Sequence, residues 1–252
     1  MPFDLGPATA AALALALFGA AFVRGYSGFG FSAIFIACAS LVTNPVPLIA
    51  VVFLCEIAMT LVQAREIGGV IDWRRVGAMG AGAAVTIPVA VWWLTRIDEN
   101  TARLAVAGIV LALSLILLAG WTLRARVGVA GHLGAGMASG LANGLAGVGG
   151  LPVVAFLTAQ GVAPATFRGT MIAYLTLLDI LTLPLFYAAG ILTGETLYAA
   201  ALALPILAVG VWLGGRRFLS ASPTGFRRMA ILLLLALALL GLARAAIFGD
   251  AA

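Results

Sequence analysis

Apolar residues run through this chain in long stretches, and its polar residues fall almost entirely between them. A helix needs about 20 apolar residues to cross the hydrocarbon core of a bilayer, and windows of that kind cover residues 46–64, 76–94 and 104–123. Two shorter apolar segments, 8–23 and 31–41, precede them. After a polar linker carrying Arg124 and Arg126 the same order returns, with short segments at 133–142 and 151–160 and longer ones at 164–189, 196–213 and 226–247. The pattern predicts an all-α chain with five helical segments in each half.

A glycine-rich break separates the two short segments of each half. The first reads Arg24-Gly25-Tyr26-Ser27-Gly28-Phe29-Gly30, and the second occupies residues 143–150. No water satisfies backbone N–H and C=O groups inside a bilayer, so a helix that stops partway across needs a reason to do so. The breaks are also in register: Gly25, Gly28, Gly30 and Pro45 match Gly144, Gly147, Gly149 and Pro164 at one offset of 119. Further on the offset drifts, but Gly69 still answers Gly190, Pro88 answers Pro205 and Arg103 answers Arg227. We read an internal duplication, with a repeat at 1–123, a linker at 124–131 and a second repeat at 132–252.

Composition narrows the class. With 63% hydrophobic and 9% charged residues and a mean hydropathy of +1.17, the chain has too little polar surface to cover a soluble globule, so it reads as a polytopic membrane protein. Segment 8–23 follows Asp4 and no basic residue, so it is expected to belong to the mature fold rather than to a cleaved leader. The net charge of +5 comes from arginine alone, and the arginines sit between apolar spans. That placement marks topology and lipid head groups, not nucleic acid. Cys38 and Cys55 lie within apolar stretches without a CxxC partner, and His132 has no second ligand at metal spacing. All three read as structural, and neither a metal nor a cofactor is expected.

Parity decides how the halves relate. If each short pair made one broken crossing, Arg24 aside, six arginines would lie on one face and seven on the other, against the positive-inside rule. If each short pair turns back, as a re-entrant hairpin or as two complete crossings, ten arginines share one face and only Arg96, Arg103 and Arg244 lie on the other. The second arrangement makes the halves inverted. It predicts two inverted repeats of about five segments, the first two of each short and glycine-broken, with both termini on the outer face and the linker in the cytoplasm.

A helix N-terminus exposes unpaired N–H groups and partial positive charge, so half-helices starting near Phe29 and Val148 would aim donors at an anion held between them. The candidate binding residues are Arg24, Gly25, Tyr26, Ser27, Gly28, Gly30 and Ser32 in the first half, and Asn143, Gly144, Gly147, Gly149 and Gly150 in the second. The competing reading of the glycines is close helix packing; Gly77, Gly80, Gly82, Gly136 and Gly140 are assigned to packing outright. Arg24 offers a planar fork that fits a sulfonate or carboxylate bidentately, or it snorkels to the interface from a complete span. Its mate at the same offset is Asn143. The hydroxyls of Tyr26, Ser27 and Ser32 serve either as donors to the anion or as bonds to helix backbone. Glu56 and Asp179 lie deep within spans, where an acid must be paired or protonated. They read as proton-coupling groups or as members of a fixed ion pair such as Glu56 with Arg24. Arg168 starts a span, as a contact at the cytoplasmic mouth or as an anchor.

The segments GYSGFGFSAIFIA, GLANGLAGVGGLPVVAFL and APATFRGT together resemble the paired signatures of the TauE/SafE family of sulfite and organosulfonate exporters, and the resemblance spans nearly the whole chain. The chain departs from the family pattern at Phe31, where a further glycine is often found, and at Arg168, where a small or apolar residue is common. The resemblance implies secondary transport of small sulfur-containing anions across the bacterial inner membrane, usually outward. Expected partners are a small anion and the lipid bilayer, with room for a homodimer. Alternatives are an anion channel, a permease for another small carboxylate or oxyanion, or a non-transporting membrane subunit. Enzymatic chemistry finds no histidine pair, cysteine–histidine pair or metal-ligand cluster to support it.

Overall fold

The computed structural model describes residues 5–67, 69–119 and 127–218, with the isolated positions Phe3, Leu235 and Leu239. Apart from Leu235 and Leu239, span 226–247 lies outside the described residues, as do Arg124, Arg126, Arg227, Arg228 and Arg244 and the side chains of Ser27, Arg65 and Arg217. The described elements are helices: α1 (Pro7–Ser27), α2 (Phe31–Val42), α3 (Val46–Ile67), α4 (Trp73–Leu94), α5 (Glu99–Leu118), α6 (Val129–Ala146), α7 (Gly150–Ala159), α8 (Pro164–Ala188) and α9 (Gly194–Phe218). Six of them (α1, α3, α4, α5, α8 and α9) contain spans long and apolar enough to cross a membrane, and α2 and α7 are shorter apolar helices. The protein is an all-helical, multi-pass membrane protein.

The first helix of each half is longer than the apolar pattern predicts. α1 has 21 residues and α6 has 18, so only α2 and α7, with 12 and 10, are short. Arg24 and Gly25 therefore lie within the last turn of α1 instead of in a loop. Both helices stop where a glycine takes the left-handed conformation, Gly28 at φ 81° and Gly147 at φ 67°. The amide of Gly28 donates to the Arg24 carbonyl at 2.7 Å, and that of Gly147 to the Asn143 carbonyl at 2.8 Å. A residue with a Cβ would be strained at either position.

Two helix pairs dominate the packing, α4 along α6 and α1 along α9, so the first helix of each half lies on the fourth helix of the other. Both seams are made by glycine. A Cβ on Gly136 would strike the Met79 carbonyl and one on Gly82 the Leu133 carbonyl; on the other seam, Gly25 faces Val211 and Gly214 faces Phe22 in the same way. Gly80 packs against Leu177, and Gly140 lies 2.8 Å from the Ala83 carbonyl in the same construction. The assignment of Gly77 to packing is corrected: nothing lies within 4 Å of its Cβ position.

Contacts also give the helix directions. Met79 meets Gly136, and Ala90 meets Gly144, so α4 and α6 are parallel; Phe18 meets Gly210, and Phe22 meets Gly214, so α1 and α9 are parallel too. α3 and α8 cross antiparallel near the centre: Thr60 bonds Thr176, the Glu56 side chain interacts with that of Asp179, and Phe53 packs on Phe186 at 5.4 Å.

Candidate functional site

The centre of the molecule is the α3–α8 crossing with the last turn of α1 laid against it. Arg24 is 0% exposed, and its Nη1 donates to Glu56 Oε1 at 3.0 Å. Nη2 donates to Thr60 Oγ1 at 3.2 Å. Thr60 also accepts from Thr176 Oγ1 at 2.8 Å and donates to the Glu56 carbonyl at 3.0 Å, so one hydroxyl ties three helices together. Asp179 on α8 is 0% exposed and feels both Glu56 and Arg24. Its contact with the Glu56 side chain falls short of hydrogen-bond geometry, and neither of its carboxylate oxygens has a hydrogen-bond partner among the described residues.

A guanidinium withdrawn from water costs several kcal/mol unless it is paired, and Glu56 supplies the pair. The arrangement holds one cation and two carboxyl groups inside the membrane, with one carboxylate oxygen of the protein on Nη1 of the guanidinium and a hydroxyl on Nη2. An incoming oxyanion of similar shape would compete with Glu56 for the same donors.

Asn143, the offset mate of Arg24, does different work. Its Nδ2 donates to Thr182 Oγ1 at 3.0 Å, and its Oδ1 accepts the Gly149 amide at 3.3 Å, so it caps the start of α7. Ser139 donates to the Gly149 carbonyl at 2.5 Å. The glycines of the breaks face protein. Gly25 lies on α9; a Cβ added to Gly28 would stand 2.8 Å from Arg168 Cγ and one added to Gly147 2.8 Å from Ile49 Cγ2; Gly149 packs against Leu178 and Asn143, and a Cβ on Gly150 or Gly30 would stand 3.2 Å from Leu175 or 3.5 Å from Val23. Tyr26 and Ser32 are buried, and the side chain of Ser27 lies outside the described residues.

The contacts of Gly28 and Gly147 correct the picture of two half-helix ends facing each other across one anion. Gly147 touches Ile49 in the first turn of α3. Gly28 touches Arg168, whose neighbours Gly169 and Thr170 meet Val70 and Asp72 just beyond the other end of α3. The eighteen residues between Ile49 and Ile67 rise about 27 Å, so the breaks lie at opposite ends of α3. Arg168 accordingly stands beside the first break and not the second. The reason is the length of α1 and α6, with 21 and 18 residues, which carries each break to an end of α3 instead of its middle.

The apolar pattern singles out Arg24, Glu56 and Asp179, and the fold brings these three together. Thr60 and Thr176 are not foreseen, because a hydroxyl in an apolar helix commonly bonds the carbonyl four residues back, as Thr176 also does to Ile172. The one available signal was spacing: Thr60 stands one turn after Glu56 on the same face. His132 accepts a structural reading, its Nδ1 2.9 Å from the Gly128 carbonyl and its ring 5.2 Å from Phe156. Cys38 and Cys55 are free thiols.

Among protein families, the one described as Sulfite exporter TauE/SafE matches residues 13–240. No curated protein and no solved structure matches the chain.

Proposed function

The chain belongs to the TauE/SafE sulfite exporter family, and on that premise we propose that it carries small sulfur-containing anions such as sulfite or organosulfonates outward across the bacterial inner membrane by alternating access. The observation that carries this reading is the buried Arg24–Glu56 pair at 3.0 Å with Asp179 beside it. An intramembrane arginine is functional by default because its burial is costly, and its fork binds a sulfonate in the geometry it uses for a carboxylate. In this reading the substrate displaces Glu56 from Arg24. The released carboxyl then takes a proton, with Asp179 as the neighbouring acid, which couples anion movement to the proton gradient. The opposed directions of α3 and α8 and the cross-packing of α1 on α9 and α6 on α4 support halves inverted about the membrane plane; taking the arginine-rich face as cytoplasmic then puts both termini in the periplasm.

Purified protein in proteoliposomes, assayed for sulfite and short-chain sulfonate flux, tests the reading. Arg24→Ala should abolish flux while the protein still elutes as a folded species. Wild-type flux should respond to an imposed pH gradient, and Glu56→Gln or Asp179→Asn should lose that response. Unaltered flux in Arg24→Ala removes Arg24 from the site, and an unchanged pH response in both carboxyl variants removes the proton coupling.

A further inference from the structure

A cavity of about 740 Å³ lies between α3, α8 and α9, outside the central cluster. Its polar lining is Gln63, Arg168 and Arg216, and its walls are apolar, with Met59, Leu204 and Trp212 among them. The polar groups gather at one end. Gly214 packs on α1 between Phe22 and Tyr26, and Gly28, just beyond, packs on Arg168, so Arg216 and Arg168 stand at the same level, near the end of α3. Gln63 is one turn before that end. Leu204 lies twelve residues earlier on α9, roughly 18 Å deeper in the membrane.

Two details point to a ligand. Gln63 is 3% exposed, yet its Oε1 has no hydrogen-bond partner among the described residues, so a buried acceptor lining the cavity awaits a donor. The Arg216 guanidinium is held 3.8 Å over the Trp212 ring, which places a cation at the rim ahead of any occupant. A small oxyanion would meet only the polar end of the cavity and leave the apolar walls uncovered. The shape and chemistry call instead for an amphiphile with an anionic head, and the exposed rim residues Val209 and Trp212 would face its usual source, the surrounding bilayer.

We propose that this cavity is a binding site for an anionic phospholipid with a hydroxylated head group. The phosphodiester lies between Arg168 and Arg216, a head-group hydroxyl donates to Gln63 Oε1, and one acyl chain runs along Met59 and Trp212 towards Leu204. Basic pockets between membrane helices on the arginine-rich face bind anionic head groups by the same electrostatics.

The test uses the full chain, delipidated in detergent and then supplied with phosphatidylglycerol, phosphatidic acid or phosphatidylcholine. Bound lipid is read by native mass spectrometry, and stability by the apparent Tm. Phosphatidylglycerol should be retained and should raise Tm, phosphatidic acid less so, and phosphatidylcholine not at all. Arg216→Gln should weaken retention about fivefold. Gln63→Leu should abolish the preference for phosphatidylglycerol over phosphatidic acid while leaving phosphatidic acid binding intact. Arg96→Gln removes an arginine stacked on Trp92 at 3.8 Å in the same manner at the end of α4, and should change nothing. Equal stabilisation by phosphatidylcholine, or unchanged retention in Arg216→Gln, overturns the proposal. So does preferential capture of a short alkyl sulfonate, which would make the cavity part of the substrate path. Lipid-independent dimer cross-linking through Val209→Cys would make this face a dimer surface instead.

Discussion

Arg24 and Glu56 each owe their place in the membrane interior to the other. Removing one partner of a buried ion pair leaves an uncompensated charge and typically costs about 3–5 kcal/mol, whereas replacing both with apolar groups is often close to neutral. Arg24→Met and Glu56→Leu are therefore each expected to lower the unfolding temperature sharply, and the double variant to recover most of the loss; a thermal-shift double-mutant cycle reads the coupling. At the membrane surface, a different carboxylate works through helix capping. Asp98 precedes α5 and accepts the Thr101 hydroxyl and the Thr101 amide at 3.0 Å. The hydroxyl bond first, and the amide bond second, hold its pKa below the ordinary value of 3.8. A group whose pKa is depressed by folding stabilises the fold fully above the unfolded value, and that contribution disappears as pH falls through the folded one. Wild type should thus exceed Asp98→Asn in apparent Tm at pH 6, the difference should begin to shrink as the pH approaches 3.8, and the two should converge only below the depressed pKa of the folded state.

Among the elements, α4–α6 and α1–α9 show what the glycines of this chain are for. Their backbones meet so closely that Gly136 has the Met79 carbonyl where a Cβ would stand. Gly136→Leu must push the two helices apart, and overpacking of this kind costs about 1–3 kcal/mol or more. Gly77 on α4 has nothing within 4 Å, so Gly77→Ala should stabilise by roughly 0.5–1 kcal/mol through helix propensity alone. Circular dichroism melts of the two variants should move in opposite directions. Both positions read alike in the sequence, since spacing locates glycines on a face without saying which face has a neighbour. The same blindness shortens α1 and α6 in the apolar pattern: Gly25 looks like a helix breaker, but α9 approaching at Val211 is what its missing Cβ allows.

The whole molecule turns on the antiparallel crossing of α3 and α8, where Thr60 and Thr176 are 2.8 Å apart. If transport moves one half against the other, this contact between halves must change during the cycle. Thr60→Cys with Thr176→Cys, in a background lacking Cys38 and Cys55, should form a disulfide under oxidation that stops flux, and reduction should restore it. Full flux in the oxidised, cross-linked protein would show that the crossing stays closed throughout. Equivalent positions already meet alike across the molecule: Gly28 faces Arg168 and Gly147 faces Ile49, a Cβ added to either glycine standing 2.8 Å from its partner's side chain, and each pair is related by the offset of the glycine breaks. One half places the stem of an arginine where the other places an isoleucine, so any symmetry in the backbone is not matched in residue type.

Membrane class, helical content and the three buried ionisable groups were legible in the sequence because each is a local quantity: the length of an apolar run, or the cost of an ionisable group inside it. The offset between the glycine breaks was legible for the same reason. Of the meetings between groups, only the pairing of Glu56 with Arg24 was legible there, as one of two readings of the buried acids, and the fold makes it. That Asp179 joins the pair, that Thr60 and Thr176 bridge the crossing, and that the two breaks lie at opposite ends of α3 all depend on helix direction and depth. Those are decided by which glycine faces seat which backbone, a relation between distant segments that no single stretch contains.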